Sequence, residues 1–465
     1  MTAQPKAATV EIDISDDAYT EHLAVVNQEQ SVSATDDICN AQGQIIVKEG
    51  ARIDQQTAER ITRFKLKKPI ECSIALENEL NPSLLGEKIK TFFHSDVSTA
   101  LLYEKYNDPE LLLKCSEHAC QFALLRQKIT VMSLIMPSVF EQALFCAWLG
   151  MTLVARNRYP DIKPENIFLA GLCHDVGMVH IRAEVLEKTE RLTTEEWRQI
   201  QAHPVIGYNI VKETQGMDDI VSRAVLEHHE NLDGSGYPRA RDASELSVEG
   251  QILNLLDSMN AIFNKRFRLF NRSIKGLIPI IQIMRHSRFS DAGKQIVVLL
   301  KALPDDMTPA NIPDAIAPKI LDTIQARIDY ITQSTHIAVK LAAELAKYKE
   351  AHKFTRHVKS IQSAIVHISV TLTQCGIINE TYKSWLDAAF AEKDKNAFKE
   401  VEEAYLMMHE LIFLVERLHR QIAVFVETKA SAPEAKLLQA ALKSLQEVKL
   451  PNIEPMLANM WLFKD

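Results

Sequence analysis

The sequence predicts a mainly α protein: an all-helical central unit, a small α+β module ahead of it and a helical bundle after it. Three observations carry that expectation. Glycine and proline are scarce, 14 and 17 in 465 residues, so helices meet few breaks. Apolar residues recur at three- and four-residue steps, as at Leu411, Leu414, Val415 and Leu418, which is the period of a helix face. Stretches with strand character are confined to the first 80 residues, where sheet pairing is expected.

Within residues 1–80, β-rich segments at 10–14, 44–47 and 69–76 surround a short helix through 55–65, for which Asp54 supplies the N-cap. Residues 81–128 turn helical and read as a linker or as the first helices of the next unit. Residues 129–302 alternate apolar helical stretches with loops that hold most of the polar chemistry, and they form the candidate catalytic unit. The run ALFCAWLGMTLVA at 143–155 has 13 residues. Spanning a bilayer takes roughly 18–20, so a buried core helix is expected and no membrane span. Pro304, Pro309, Pro313 and Pro318 then interrupt any helix repeatedly and mark a connection. Residues 303–465 are expected to form an antiparallel bundle of four or five helices, with segments at 320–349, 355–375 and 396–428 and breaks at Gly376 and 430–433.

Charge and cysteine usage narrow the function classes. Lys and Arg number 53 against 61 Asp and Glu, a net charge of -8, so no global basic field draws a nucleic-acid polymer or an anionic membrane. A small phosphorylated ligand held by local cations is not excluded. The first twenty residues carry acids where a signal peptide needs a basic and then an apolar region, so secretion is not expected. Seven scattered cysteines make no disulfide framework, and a cytoplasmic location is expected. Cys115, His118 and Cys120 fit one helix face better than a metal site.

Five of the fifteen histidines fall between residues 174 and 229: His174, His180, His203, His228 and His229. His174-Asp175 ends one helical stretch, His203-Pro204 follows the acidic LTTEEWRQIQA, and His228-His229-Glu230 closes a third. Several helix ends can converge on one point. Neutral imidazole and carboxylate together suit divalent Mn, Fe or Zn, and a carboxylate such as Asp175 can bridge two ions. Asp257 sits in the apolar helix ILNLLDSMNAI, where a lone carboxylate is costly unless paired or metal-bound. Each histidine singly has a capping or surface reading; the set with Asp175 and Asp257 predicts a metal site. The loop DGSGYP at 233–238 follows His229 closely. Its glycines permit close approach and unusual dihedrals, and Tyr237 offers a phenolic donor.

Read together, HD at 174–175, HP at 203–204, HHE at 228–230, DGSGYP at 233–238 and Asp257 resemble the signature of the HD-GYP family of metal-dependent cyclic di-GMP phosphodiesterases, over roughly residues 129–302. The run RFSDAGKQIVVLL at 288–300 is similar to the family's closing helix, and the N-terminal module resembles a segment found ahead of such domains. The resemblance implies an all-helical core holding metal ions, with a metal-bound hydroxide attacking a phosphodiester. It implies that Asp175 bridges the ions, that His203, His228 and His229 complete one site, and that His174 and Asp257 serve the other. Fe or Mn ions, one or two per chain, are expected as cofactors. Asp175 and His203 are then the catalytic pair, Tyr237 meets a substrate phosphate, and Arg266 grips the ligand.

The sequence departs from the family at three places. The histidine normally found on the helix before the HD motif is Gln142 here, with Glu141 beside it, so one metal site loses a strong ligand. The lysine of the family's HD-x-G-K is Met178 in HDVGM, removing a cation for substrate phosphate. Only Arg266 keeps register in Arg266-Phe267-Arg268-Leu269, with Arg268 a candidate substitute. His180 is extra; a surface or capping role outweighs that of ligand or cation. The leading function is therefore hydrolysis of cyclic di-GMP or a related cyclic dinucleotide. The alternative is a degenerate HD-GYP domain that senses nucleotide or contacts proteins with little or no catalysis. Either leaves the C-terminal bundle as a surface for a protein partner or a homodimer.

Overall fold

The computed structural model describes residues 16–157, 159, 161–190, 192–241, 243–284, 290–304, 316–348, 356–375, 380–392, 395–429, 434–453 and 457. The chain divides into two compact units. The first takes in Met1–Phe92, Tyr106–His229 and Ser247–Leu253; the second takes in Phe93–Lys105, Glu230–Leu246 and Asn254–Asp465. The expected strand at 10–14 lies outside the described residues, as do Pro309, Pro313, Gly376 and 430–433.

In the first unit the chain opens on a helix, Asp16–Glu29, which the sequence reading did not assign. Tyr19, Leu23 and Val26, at steps of four and three, form its buried face. Two antiparallel pairs follow: Val32–Ala34 with Ile74–Leu76, and Ile38–Cys39 with Ile45–Val47. The segment at 69–76 is thus half a tight turn, Ile70–Cys72, and half a strand. Asp54 caps the helix Gln55–Ile61 by accepting the amide of Thr57, as expected, but the helix stops four residues short of 65. Helices Pro82–Phe93, Val97–Tyr106, which falls almost wholly in the second unit, and Pro109–Cys120 occupy most of 81–128. Cys115 and Cys120 are buried on the last of these, and His118 bonds Gln121.

The apolar run belongs to the helix Pro137–Asn157, in which every residue from Ala143 to Val154 is buried. By length and composition this helix could cross a membrane, yet 72% of its most apolar window lies inside the structure. It packs against Pro164–Cys173 so closely that a Cβ on Gly171 would stand 2.6 Å from the backbone nitrogen of Ala147. This pair carries the helix end at His174 on a fully buried platform.

The regular elements among the described residues of the second unit are all helical, joined by loops such as 230–241. Among the described residues, five helices follow residue 316: Ala317–Tyr348, Arg356–Cys375, Glu380–Glu392, Lys395–Thr428 and Ala435–Glu447. Their shared core takes Ile320, Ile324 and Ile328 from the first helix, and Leu411, Val415, Leu418 and Ile422 from the fourth. That is the three- and four-residue period read from the sequence. The mainly α class is what the chain adopts.

Candidate metal centre

Three helix ends of the first unit each finish on a histidine. The last carbonyls of a helix lack intrahelical partners. A histidine placed just past them can turn its ring back and donate from Nδ1. His174 does so to the carbonyl of Gly171 at 2.7 Å, His203 to Ile200 at 2.7 Å, and His228 to Val225 at 2.6 Å. The same i to i−3 bond recurs three times and fixes three rings. The helix ending before His203 is started by a capping box between Thr193 and Glu196. The helix His203–Glu213 then begins with a proline in its first turn, where the missing amide costs nothing.

Gly177 sets the distance between two of these ends. A Cβ there would lie 2.1 Å from the carbonyl oxygen of His203. Only a glycine lets the turn Val176–His180, which begins right after Asp175, lie against the start of the His203 helix. Asp175 consequently meets the histidines. Its Oδ1 lies 3.1 Å from Nε2 of His203 and 3.6 Å from Nε2 of His228, and its Oδ2 lies 3.3 Å from Nε2 of His174. One donor atom from each of Asp175, His203, His228 and His229 falls within 4.8 Å of the others.

The chemistry of these donors calls for a cation. Backbone carbonyls only accept, so Nδ1 of His203 and of His228 carries the proton and each neutral ring offers a lone pair at Nε2. Those two Nε2 atoms are 3.1 Å apart. Two lone pairs and a carboxylate oxygen at such distances repel unless positive charge stands among them. A proton can supply it by charging a buried imidazole, and a metal ion supplies it with donors that suit it. Burial, opposed by the Asp175 carboxylate, lowers the pKa of His228 from its ordinary value and favours its neutral form. Burial pushes the Asp175 carboxyl up, but attraction to His174 and bonds from His174, His203 and His228 outweigh it and hold the group well below the usual carboxylate range. Asp175 stays anionic. The four residues fit a divalent ion.

The remaining expected residues are placed as follows. His174 is fully buried beside Asp175. Asp257 is buried on the helix Val248–Ile262, in the stretch belonging to the second unit. Tyr237 lies half-buried in the loop after His229, before Pro238, and Arg266 is buried in the turn Phe263–Phe267. Both belong to the second unit. Gln142 is half-buried, whereas Glu141 is exposed and joins no histidine and carboxylate cluster among the described residues. The guanidinium of Arg268, the candidate substitute, donates to the Ser95 hydroxyl at 3.0 Å.

His180 corrects the reading of a surface or capping residue. It stacks on Tyr19 with ring centres 5.2 Å apart, and Nε2 accepts from Lys128 at 3.0 Å. Lys128 is fully buried and ion-paired with Glu71 at 3.0 Å. His22, next to Val179 in space, takes up the Val179 carbonyl through Nδ1 at 2.9 Å. The turn that begins after Asp175 is thereby clamped by residues of the N-terminal 130. No sequence pattern singled out Lys128, because a lysine in a helix is ordinarily solvated.

Comparison with known proteins agrees with the geometry. Residues 130–292 match the family model of the HD domain. The cyclic di-GMP phosphodiesterase PdeB of Borreliella burgdorferi is 28% identical over 190 residues, 40% of this chain and 49% of that protein. A cyclic di-GMP phosphodiesterase of Thermotoga maritima is 30% identical over 120 residues, 26% of this chain and 33% of that one. The 3'3'-cGAMP-specific phosphodiesterase 1 of Vibrio cholerae is 32% identical over 122 residues, 26% of this chain and 27% of its own. The chain thus spans half the length or less of these relatives.

Proposed function

We propose that residues 130–292, which match the HD domain model, form an HD-GYP domain, and that the chain is a metal-dependent phosphodiesterase acting on cyclic di-GMP or a related cyclic dinucleotide. The observation that carries this reading is the convergence of His203 and His228 Nε2 and Asp175 Oδ1 on one buried point. Asp175, His203, His228 and His229 would hold one ion. His174 and, following the family signature, Asp257 would serve a second, with Asp175 bridging. Fe or Mn is the proposed metal, one or two ions per chain. When bound, such ions lower the pKa of water toward neutrality and stabilise charge on phosphoryl oxygens.

The chain's own residues supply the rest. Burial favours the neutral ring of His228, and a buried site excludes bulk water, which strengthens each charge interaction at the phosphodiester. The carbonyls of Gly171, Ile200 and Val225 hold the rings in one tautomer. Tyr237 would donate to a substrate phosphate, and Arg266 would bind the anionic ligand with a planar fork.

A second reading, a regulatory module with weak or no catalysis, is favoured by Gln142 and Met178 standing where the family has a ligand and a cation. Purified protein loaded with Mn or Fe and given cyclic di-GMP separates the two. Turnover above a His203→Ala control supports the phosphodiesterase. Absence of turnover, together with a sharp gain in the Gln142→His/Met178→Lys double variant, supports the module.

A further inference from the structure

The loop that follows His229 is anchored by the C-terminal helices. Arg417, on the helix Lys395–Thr428, pairs through Nη2 with Oδ2 of Asp233, the first residue of the DGSGYP loop. The side chain of Asp233 is 2% exposed and that of Arg417 13%, so the pair sits largely out of water.

Asp233 is a junction. Its other oxygen, Oδ1, accepts the amide of Ser235 at 3.0 Å and the Ser235 hydroxyl, which itself accepts from Asn231 at 3.1 Å. Gly234 between them takes φ +73, a conformation that suits glycine. On the loop's far arm, the carboxylate of Glu230 accepts the amides of Arg239 at 2.6 Å and Arg241 at 3.0 Å. Apart from Asn254, which bonds the Glu230 carbonyl at 2.9 Å, these bonds stay within the loop. Arg417 reaches it from 184 residues away. Nε and Nη1 of Arg417 are buried and make no hydrogen bond among the described residues, so the guanidinium's charge is directed to Asp233 without a competing carboxylate.

We propose that Arg417 is a positioning residue for substrate: through Asp233 it fixes the loop that carries Tyr237 and neutralises a carboxylate that a dianionic cyclic dinucleotide would otherwise meet. The inference rests on the proposed function. It makes the C-terminal helices a working part of substrate binding in addition to any partner surface. Losing one member of a buried pair leaves the other charge uncompensated, which favours rearrangement of the loop over a simple lost contact.

The test uses the full chain with Arg417→Ala, Arg417→Lys and the double variant Arg417→Ala/Asp233→Asn, the last of which removes the stranded charge and protects the fold. Three quantities are read: metal content, KM and kcat for cyclic di-GMP, and amide hydrogen exchange at Ser235, Arg239 and Arg241. We expect unchanged metal content and kcat, with KM raised by about tenfold or more in Arg417→Ala and by less in Arg417→Lys. Exchange in the loop should quicken in Arg417→Ala and in the double variant. A double variant that keeps both the parental KM and the parental exchange overturns the proposal. If the parent itself fails to bind or hydrolyse the nucleotide, the proposed function falls, and the exchange rates alone decide: faster exchange upholds Arg417 as the anchor, and unchanged exchange overturns it.

Discussion

Nε2 of His203 lies 3.1 Å from Nε2 of His228, with both rings committed to donate from Nδ1 to a carbonyl. A pair of lone pairs so disposed competes for one positive charge. Metal binding must therefore displace any proton held there, and affinity falls with acidification. Because burial lowers the pKa of His228, its lone pair survives below the ordinary histidine value of about 6.5. Titration calorimetry with Mn between pH 5.5 and 8 should show affinity holding to a lower pH than for exposed histidines. An affinity that falls below about pH 6.5 as steeply as at a site of exposed histidines would contradict this.

Gly177 bears on the same site through sterics alone. A methyl group at 2.1 Å from the His203 carbonyl oxygen has no flexible side chain to push aside. Gly177→Ala should cost stability at the upper end of about 1–3 kcal/mol and reduce metal content as Asp175 and His203 are forced apart. Denaturant melts and metal analysis on the same variant check both. Parental values in both would show that the close approach is not required.

His180 gives the chain a pH dependence. Burial first, then the charge of Lys128 and proximity to His22, hold its pKa well below the ordinary value. The unfolded chain binds a proton there near pH 6.5 and the folded chain only at much lower pH, so the unfolded state holds more protons and stability falls as pH drops below about 6.5. His180→Asn should flatten the fall in Tm between pH 7.5 and 5.5. An equally steep fall in the variant would assign the dependence to other groups.

Met178 stands where the family signature has a cation. Installing Met178→Lys should lower KM for cyclic di-GMP by about tenfold, the scale of one charge-assisted hydrogen bond of roughly 1.5–3 kcal/mol net of losses. Steady-state kinetics read it directly. An unchanged KM means the side chain at 178 does not reach substrate phosphate.

Much of the site was legible because its signals are local. A histidine at a helix end makes its second bond three residues back, so HD, HP and HH motifs encode both placement and ring orientation within a few residues. The bundle was legible for a similar reason, since its core repeats at helical steps. The rest depends on distant pairing. Lys128 meets His180 across 52 residues and Arg417 meets Asp233 across 184, and nothing near either lysine or arginine announces a buried partner. The helix Asp16–Glu29 has a weak sequence signal because Tyr19, Leu23 and Val26 form a narrow apolar stripe amid polar neighbours.

The most direct test measures metal content and cyclic di-GMP turnover on one preparation of the parent chain and of His203→Ala and His228→Ala. The parent should retain at least about one tightly held transition-metal ion per chain and turn over substrate, and each variant should lose both together. A parent that holds no ion, or variants that lose the ion and keep parental turnover, would contradict a metal centre built on these histidines.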